Sequence, residues 1–162
     1  AVWRNAFRSA KAHNGFFIEG VEPVLFNKRS LFMLDLPQKC VGDKPWTVTH
    51  YLYSISATRI LHLNEKKKVV TLTDSWDDLP PQTFTSVWNF TLAPDIVPEQ
   101  KGDEWHLKYH KKTLLVLHSQ DLDFTVADSW YAPNYGTKRA CKKLVAKCPV
   151  STQPVKTFFT KV

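Results

Sequence analysis

The segment Gln82-Thr83-Phe84-Thr85-Ser86-Val87-Trp88-Asn89-Phe90-Thr91-Leu92 decides how the rest of the chain is read. Phe84, Ser86, Trp88, Phe90 and Leu92 recur on one face at a period of two, and Thr83, Thr85, Val87, Asn89 and Thr91 take the other. Bulky rings on one side and small polar groups on the other mark a half-buried strand. Asn89-Phe90-Thr91 is also an N-x-[ST] glycan acceptor, and its place on the polar face directs Asn89 outward, where a sugar would attach. The stretch predicts a secreted β-protein with a packed or ligand-filled interior.

Outward from this strand the pattern stays extended. Leu31–Leu36 reads as a strand ending at Pro37, and a long run from Thr47 to Leu63 is rich in Thr, Tyr, Ile and Val. That run joins Lys68–Trp76 through Asn64–Lys67 as a hairpin, with Lys66-Lys67-Lys68 as its solvated tip. Pro80-Pro81 break the chain, and strands follow at Asp103–Tyr109, Thr113–Ser119 and Leu122–Trp130. Two segments read as helix. Val2, Trp3, Ala6, Phe7 and Ala10 repeat at helical spacing opposite Arg4, Arg8 and Lys11, and Asn14-Gly15 stops them. Cys141, Leu144, Val145 and Cys148 form an i, i+3, i+4, i+7 stripe after Gly136, with Lys138, Arg139, Lys142, Lys143 and Lys147 on the solvent side. Val155–Lys161 then returns to strand. About seven or eight consecutive strands with short connections favour an antiparallel meander, and closing it into an eight-stranded barrel removes the sheet edges and leaves room for one small ligand.

The 162 residues suit a single domain, 1–162, with 43% hydrophobic and 13% aromatic residues to fill its core. No run of about 18 apolar residues is present, so no membrane span is expected. No signal peptide is visible, and the chain reads as a processed mature form. The net charge of +7 permits polyanions, membrane surfaces or acidic proteins as partners. The bases are scattered, and no zinc-finger spacing, RNA-recognition motif or recognition helix accompanies them, so neither nucleic acid nor a membrane is an expected partner. Cys141 and Cys148, seven apart on the expected helix, would lie about 10 Å apart along its axis. A disulfide reaches roughly 7 Å between Cα atoms. Cys40 is therefore expected to pair with Cys148 or Cys141, closing a loop of about 100 residues worth on the order of 4–5 kcal/mol. No histidine has ligand spacing to these thiols, so neither a metal nor another cofactor is expected.

The order of these elements resembles the salivary lipocalins of ticks, the histamine-binding family. The resemblance is carried by the aromatic N-terminal helix around Trp3 and Phe7, Cys40 ahead of the first long strand, the hairpin Thr58–Asp74, and Cys141-Lys142-Lys143-Leu144-Val145 before the last strand. The Gly-x-Trp of vertebrate lipocalins is missing, which fits the divergent tick branch. The resemblance implies a lipocalin-like barrel with an N-terminal helix and a helix near the C-terminus. It also implies secretion at the bite and suppression of host defence, by sequestering a biogenic amine or an eicosanoid or other lipid, or by binding a host plasma protein such as a complement component.

Two Asp-Ser-Trp triplets offer an amine site. In each, the acid and the indole (Asp74 with Trp76, Asp128 with Trp130) share a strand face. A carboxylate among rings supplies charge pairing and cation–π contact to a protonated amine. The bland alternative places both acids at strand ends, in water. Arg59 offers the opposite reading. It shares the apolar stripe of Tyr53, Ile55, Ala57, Leu61 and Leu63, where a buried guanidinium needs an anion. That anion is a lipid carboxylate on one reading and Asp74, or another acid, on the other, unless Arg59 points outward near the hairpin turn. Trp88 completes the candidate ligand set. His106, Lys108 and His110 read as the solvent face of a strand. No H-E-x-x-H, G-x-S-x-G, P-loop or G-x-G-x-x-G occurs, so no enzyme is expected.

Two functions follow from that resemblance. A mediator scavenger would hold an amine by Asp74 and Asp128, or an anionic lipid by Arg59, inside the barrel. A host-protein inhibitor would use the barrel as a scaffold and bind through loops such as Trp76–Pro81, Leu92–Gly102 or Trp130–Gly136, with Trp130, Tyr131 and Tyr135 as anchors.

Overall fold

A computed structural model describes residues 6–7, 9–21, 38–41, 46–52, 55–77, 84–134 and 136–162, with 38–41, 46–52 and 55 described by backbone alone. Twelve strands run through these residues. The first six are β1 (Gly15–Ile18), β2 (Gln38–Val41), β3 (Trp46–Leu52), β4 (Ile55–Asn64), β5 (Val69–Trp76) and β6 (Thr85–Thr91). The others are β7 (Val97–Lys101), β8 (Glu104–Tyr109), β9 (Lys112–His118), β10 (Thr125–Tyr131), β11 (Arg139–Pro149) and β12 (Val155–Lys161).

The alternation read around Trp88 forms β6. Ser86, Trp88, Phe90 and Leu92 are buried on its inner face. Val87 and Asn89 on its outer face are buried too, and Asn89 bonds the Lys11 carbonyl in the segment that leads into β1. β1 pairs with β6 from Gly15 opposite Asn89 to Ile18 opposite Ser86. β6, flanked also by β11, is the middle of a four-stranded sheet ordered β1-β6-β11-β10.

The remaining strands form an eight-stranded antiparallel sheet ordered β2-β3-β4-β5-β12-β9-β8-β7. The inner faces of the two sheets meet in one core. Trp88, Phe90, Leu144 and Ala146 come from the smaller sheet, and Leu72, Trp105, Leu107 and Leu117 from the larger. Phe90 packs edge-on against Phe159 of β12, ring centroids 5.1 Å apart, which ties the sheets at the centre. Face-to-face sheets with interdigitated side chains are a β-sandwich.

The expected eight-stranded lipocalin-like barrel is therefore corrected. A barrel needs each strand to pair with the next until the last meets the first. Here β12 inserts between β5 and β9, and β6, β10 and β11 leave for the other sheet. Among the described residues each sheet ends in edges, β1 and β10 in one and β2 and β7 in the other.

Both helix expectations are corrected as well. Residues 139–149 form β11, paired with β10 on one side and β6 on the other. Leu144, Ala146 and Cys148 face the core at a period of two. The stripe Cys141, Leu144, Val145, Cys148 fits a helical period, but a central strand gains a ladder of hydrogen bonds on both sides, and that outweighs local pattern. Near the N-terminus, Ala6 and Phe7 are helical and Ala10–Ala12 form a single 3-10 turn. Trp3, Arg4 and Arg8 lie outside the described residues, as do Leu31–Leu36 and Pro80-Pro81. The long run Thr47–Leu63 is two strands, β3 and β4, paired with each other.

The hairpin between β4 and β5 forms as read. Its turn Glu65–Lys68 is closed by the Lys68 amide donating to the Glu65 carbonyl at 3.2 Å and the Lys67 amide donating to Asn64 Oδ1 at 3.0 Å. Asn64 thereby does the work of a backbone turn bond.

Candidate functional site

Four of the residues singled out for ligand binding meet between the sheets. Arg59 of β4 stands directly opposite Asp74 of β5 in the ladder, both on the inner face. Arg59 Nε donates to Asp74 Oδ1 at 2.6 Å and Nη2 donates to Oδ2 at 2.7 Å, a two-pronged pair. From the opposing sheet, Trp88 Nε1 donates to the same Asp74 Oδ2 at 3.0 Å. Trp76 Nε1 donates across to Ser86 Oγ at 2.8 Å. Two indole N–H groups thus bridge the sandwich, one in each direction.

Phe16 of β1 fills the space between them. Its ring stands edge-on to Trp76 at 5.0 Å and stacks on Trp88 at 5.9 Å. The Arg59 guanidinium carbon lies 5.4 Å from the Phe16 centroid. Asp74 is 1% exposed, so its carboxylate is held by the guanidinium and the indole rather than by water. Of the two readings of Arg59, the internal salt bridge to Asp74 is the one formed. Both Asp74 oxygens and both indole N–H groups are thus taken by neighbours in the protein. The cluster closes this end of the sandwich.

Asp128 and Trp130 lie elsewhere, on the edge strand β10. Asp128 pairs with Lys142 across the ladder, Nζ to Oδ1 2.6 Å, with its side chain 89% exposed. Trp130 is 43% exposed, and Lys138 Nζ stands 4.3 Å above its ring. The residues between β10 and β11 that the structure describes are all exposed, so this hairpin projects beyond the core. Arg139 reaches Asp95, on the loop between β6 and β7, at 3.1 Å. The two Asp-Ser-Trp triplets therefore do not converge on one site.

Asn89 sits on the polar face of β6 as read, yet it is 1% exposed and its Nδ2 donates to the Lys11 carbonyl at 3.0 Å. The amide nitrogen that would carry a glycan is enclosed, which corrects the expectation of an outward Asn89. Cys141 and Cys148 are free thiols on opposite faces of β11, seven residues apart on an extended chain rather than on a helix. Burial raises the pKa of both. The Cys40 side chain lies outside the described residues. Lys143, half-buried on the outer face of β11, has its pKa lowered by burial and by the nearby Lys11. No cluster of histidine, cysteine and acidic residues suited to a metal occurs among the described residues.

The outer face of the larger sheet carries His106 and His118, each near a carboxylate. His106 Nε2 is 3.3 Å from Glu104 and His118 Nδ1 is 3.4 Å from Asp103, while the His118 ring stacks on Phe158 at 6.3 Å. Lys108 bonds Glu99 on the neighbouring strand, and this contact holds the Glu99 carboxyl below its usual pKa. His106 and Lys108 lie on the outer face of this sheet, where alternation placed them.

The fold defines an antiparallel β-sandwich domain whose smaller sheet ends in a basic, aromatic hairpin. A family model for the heparinase II/III-like C-terminal domain matches residues 1–157, and the chain belongs to that family. Among solved structures, it resembles the heparan sulfate lyase HepC from Pedobacter heparinus, with a TM-score of 0.74 at 14% identity, covering 98% of this chain and 25% of that one. A heparinase III with methylated lysines matches with a TM-score of 0.70 at 10% identity, again over 98% of this chain and 25% of the other. The chain thus spans about a quarter of each of these proteins. No curated protein matches the sequence.

These findings overturn the tick lipocalin resemblance. With it fall the lipocalin scavenger of a small host mediator, whether amine or anionic lipid, and the alternative of a complement-type plasma-protein inhibitor. The expectation of no enzyme is corrected too: the family and both structural neighbours are named for lyases that act on polysaccharide, so this chain is related to enzymes. Short motifs missed this because a lyase-associated sandwich carries no local signature of the H-E-x-x-H or G-x-S-x-G kind.

Proposed function

We propose that this chain is the β-sandwich part of a protein that binds and processes an acidic polysaccharide of the glycosaminoglycan class. The observation that carries the reading is the family match over residues 1–157. The net charge of +7 supports it, because a polyanion is drawn to such a surface at long range and releases counterions on binding. The interior argues the same way. Between the sheets the Asp74 carboxylate is bonded to Arg59 and Trp88 and the Trp76 N–H to Ser86, which favours the surface as the place where a charged partner is met. Within this reading, the part of a lyase's work assigned to this chain is binding. Bond cleavage belongs to the same proposal at the level of the whole protein.

The test is retention of the purified chain on immobilised heparan sulfate, chondroitin sulfate and uncharged dextran over a salt gradient. Retention on at least one sulfated polysaccharide, lost as salt rises and missing on dextran, is the expected result. Equal elution from all three columns at low salt would sink the reading.

A further inference from the structure

The bases are less evenly spread than their order along the chain suggests. The hairpin from Thr125 to Pro149 contains five of them, Lys138, Arg139, Lys142, Lys143 and Lys147, against a single acid, Asp128. It therefore carries four of the seven net positive charges of the protein. Read as a helix, these bases would form an ordinary solvated stripe. Folded as paired strands, they divide between two faces, and one of those faces also bears aromatic and apolar surface.

The ladder sets Trp130 opposite Ala140, Asp128 opposite Lys142 and Val126 opposite Leu144. Directly opposed residues point to the same side of a sheet. Trp130, Asp128 and Val126 thus line one face of β10 beside Ala140 and Lys142 on β11, and the Lys138 ammonium reaches the same indole. This is the side of the sheet that faces the core at Leu144, but at Trp130 and Val126 large apolar area is exposed. Ala140 is too small to cover the ring beside it. From Lys138 to Lys142 the strand advances roughly 13 Å at about 3.3 Å per residue.

We infer that this face of the β10–β11 hairpin is the binding surface for the acidic polysaccharide, a deepening that rests on the function proposed above. The indole of Trp130 takes the C–H face of a sugar ring. Lys138 and Lys142 take sulfate or carboxylate groups on that residue and on the next along the chain. Both parts of such a ligand are matched: an exposed indole for the ring, and Lys138 over that indole with Lys142 farther along the strand for the charges. The Lys142–Asp128 pair does not obstruct it. An ion pair this exposed contributes little, so Lys142 exchanges Asp128 for a sulfate readily. Arg139 and Lys143 lie on the opposite face, with Tyr131 and Cys141, and extend the positive field without touching the same ligand.

The experiment measures binding of the full chain to a defined heparan sulfate oligosaccharide by calorimetry, at several salt concentrations. It compares Trp130→Ala, the double variant Lys138→Gln with Lys142→Gln, and a control triple variant, Lys66→Gln with Lys67→Gln and Lys68→Gln at the β4–β5 turn. Thermal melts check that each variant folds. Trp130→Ala is expected to weaken binding by about tenfold, the scale of losing an aromatic anchor. The double variant is expected to weaken it and to flatten its salt dependence, while the control, which removes more charge, changes affinity less than twofold. If the wild type binds and the hairpin variants bind as well as it does, the site is wrong and the polysaccharide reading stands. If the turn variant weakens binding as much as the hairpin variants, bulk charge and not this face is responsible, and the inference fails. Tighter binding of single-stranded DNA of equal charge would overturn it in favour of a nucleic-acid surface. A wild type that binds no oligosaccharide at low salt overturns both.

Discussion

Asp74-Ser75-Trp76 and Asp128-Ser129-Trp130 are the same three residues at the ends of two strands, and the fold treats them oppositely. The first acid and indole are 1% and 2% exposed, and the second pair lie in solvent. In both copies the acid and the indole share the strand face that leads toward the core. The difference lies in what stands across from that face. β5 is an interior strand of the larger sheet, and Phe16, Ser86 and Trp88 of the other sheet come down on it. Among the described residues β10 is an edge strand, and toward its far end Trp130 is 43% exposed. Burial fades along it, from Phe124 just before the strand to Val126 and then Trp130. Identical side chains become a structural clamp where a second sheet covers them and a candidate recognition surface where none does.

This comparison is most directly broken by removing the acids one at a time. Asp74→Ala leaves the Arg59 guanidinium and the Trp88 N–H without their partner inside the sandwich. Breaking a buried pair in this way is expected to lower stability by about 3–5 kcal/mol, read from the shift in urea midpoint at unchanged slope. A loss under about 1 kcal/mol would mean that water or another group reaches this end of the core, contrary to its being closed. A narrower probe is Trp88→Phe, which keeps the ring packing on Phe16 and deletes the bond to Asp74. It is expected to cost about 1–2 kcal/mol, whereas Trp130→Phe, at the exposed copy, should leave the urea midpoint unchanged.

The second triplet also touches a thiol. Ser129 stands opposite Cys141 in the ladder and hydrogen-bonds it, while burial raises the thiol pKa above the ordinary value. Little thiolate then forms near neutrality, so alkylation of the folded protein should be several-fold slower than of the unfolded chain and should keep accelerating above about pH 8.5. The linked stability is fully present below the unfolded thiol pKa and is lost as pH rises through the folded one. Alkylation at the unfolded rate near neutral pH would show that Cys141 is open to solvent. The smallest effect is expected for Asp128→Ala. Its exposed pair with Lys142 should leave stability within about 0.5 kcal/mol of the wild type, and a loss comparable with that of Asp74→Ala would erase the distinction between the two copies.

Much of the local structure was legible along the chain. The alternation through Ser86, Trp88 and Phe90, the hairpin turn after Asn64 and the last strand Val155–Lys161 all follow from a period of two and from turn chemistry. The pairing of Arg59 with Asp74 was one of two readings, because an acid and a base on apolar stripes of adjacent hairpin strands readily meet. The segment after Gly136 was misread because Cys141, Leu144, Val145 and Cys148 satisfy both periods. Only the presence of β6 on one side and β10 on the other decides between them.

By itself the sequence determined that the chain forms strands, where most of the later ones start and stop, and which side chains are too apolar to stay in water. Those properties depend on spacing between near neighbours. Tertiary structure decided that the strands divide into two sheets, that β12 enters between β5 and β9, and that one Asp-Ser-Trp is sealed while its twin is exposed. The physical reason is that a strand's periodicity states which face is apolar but not which surface will cover it. Cover comes from residues far away in the chain, and a barrel and a sandwich make the same local demands.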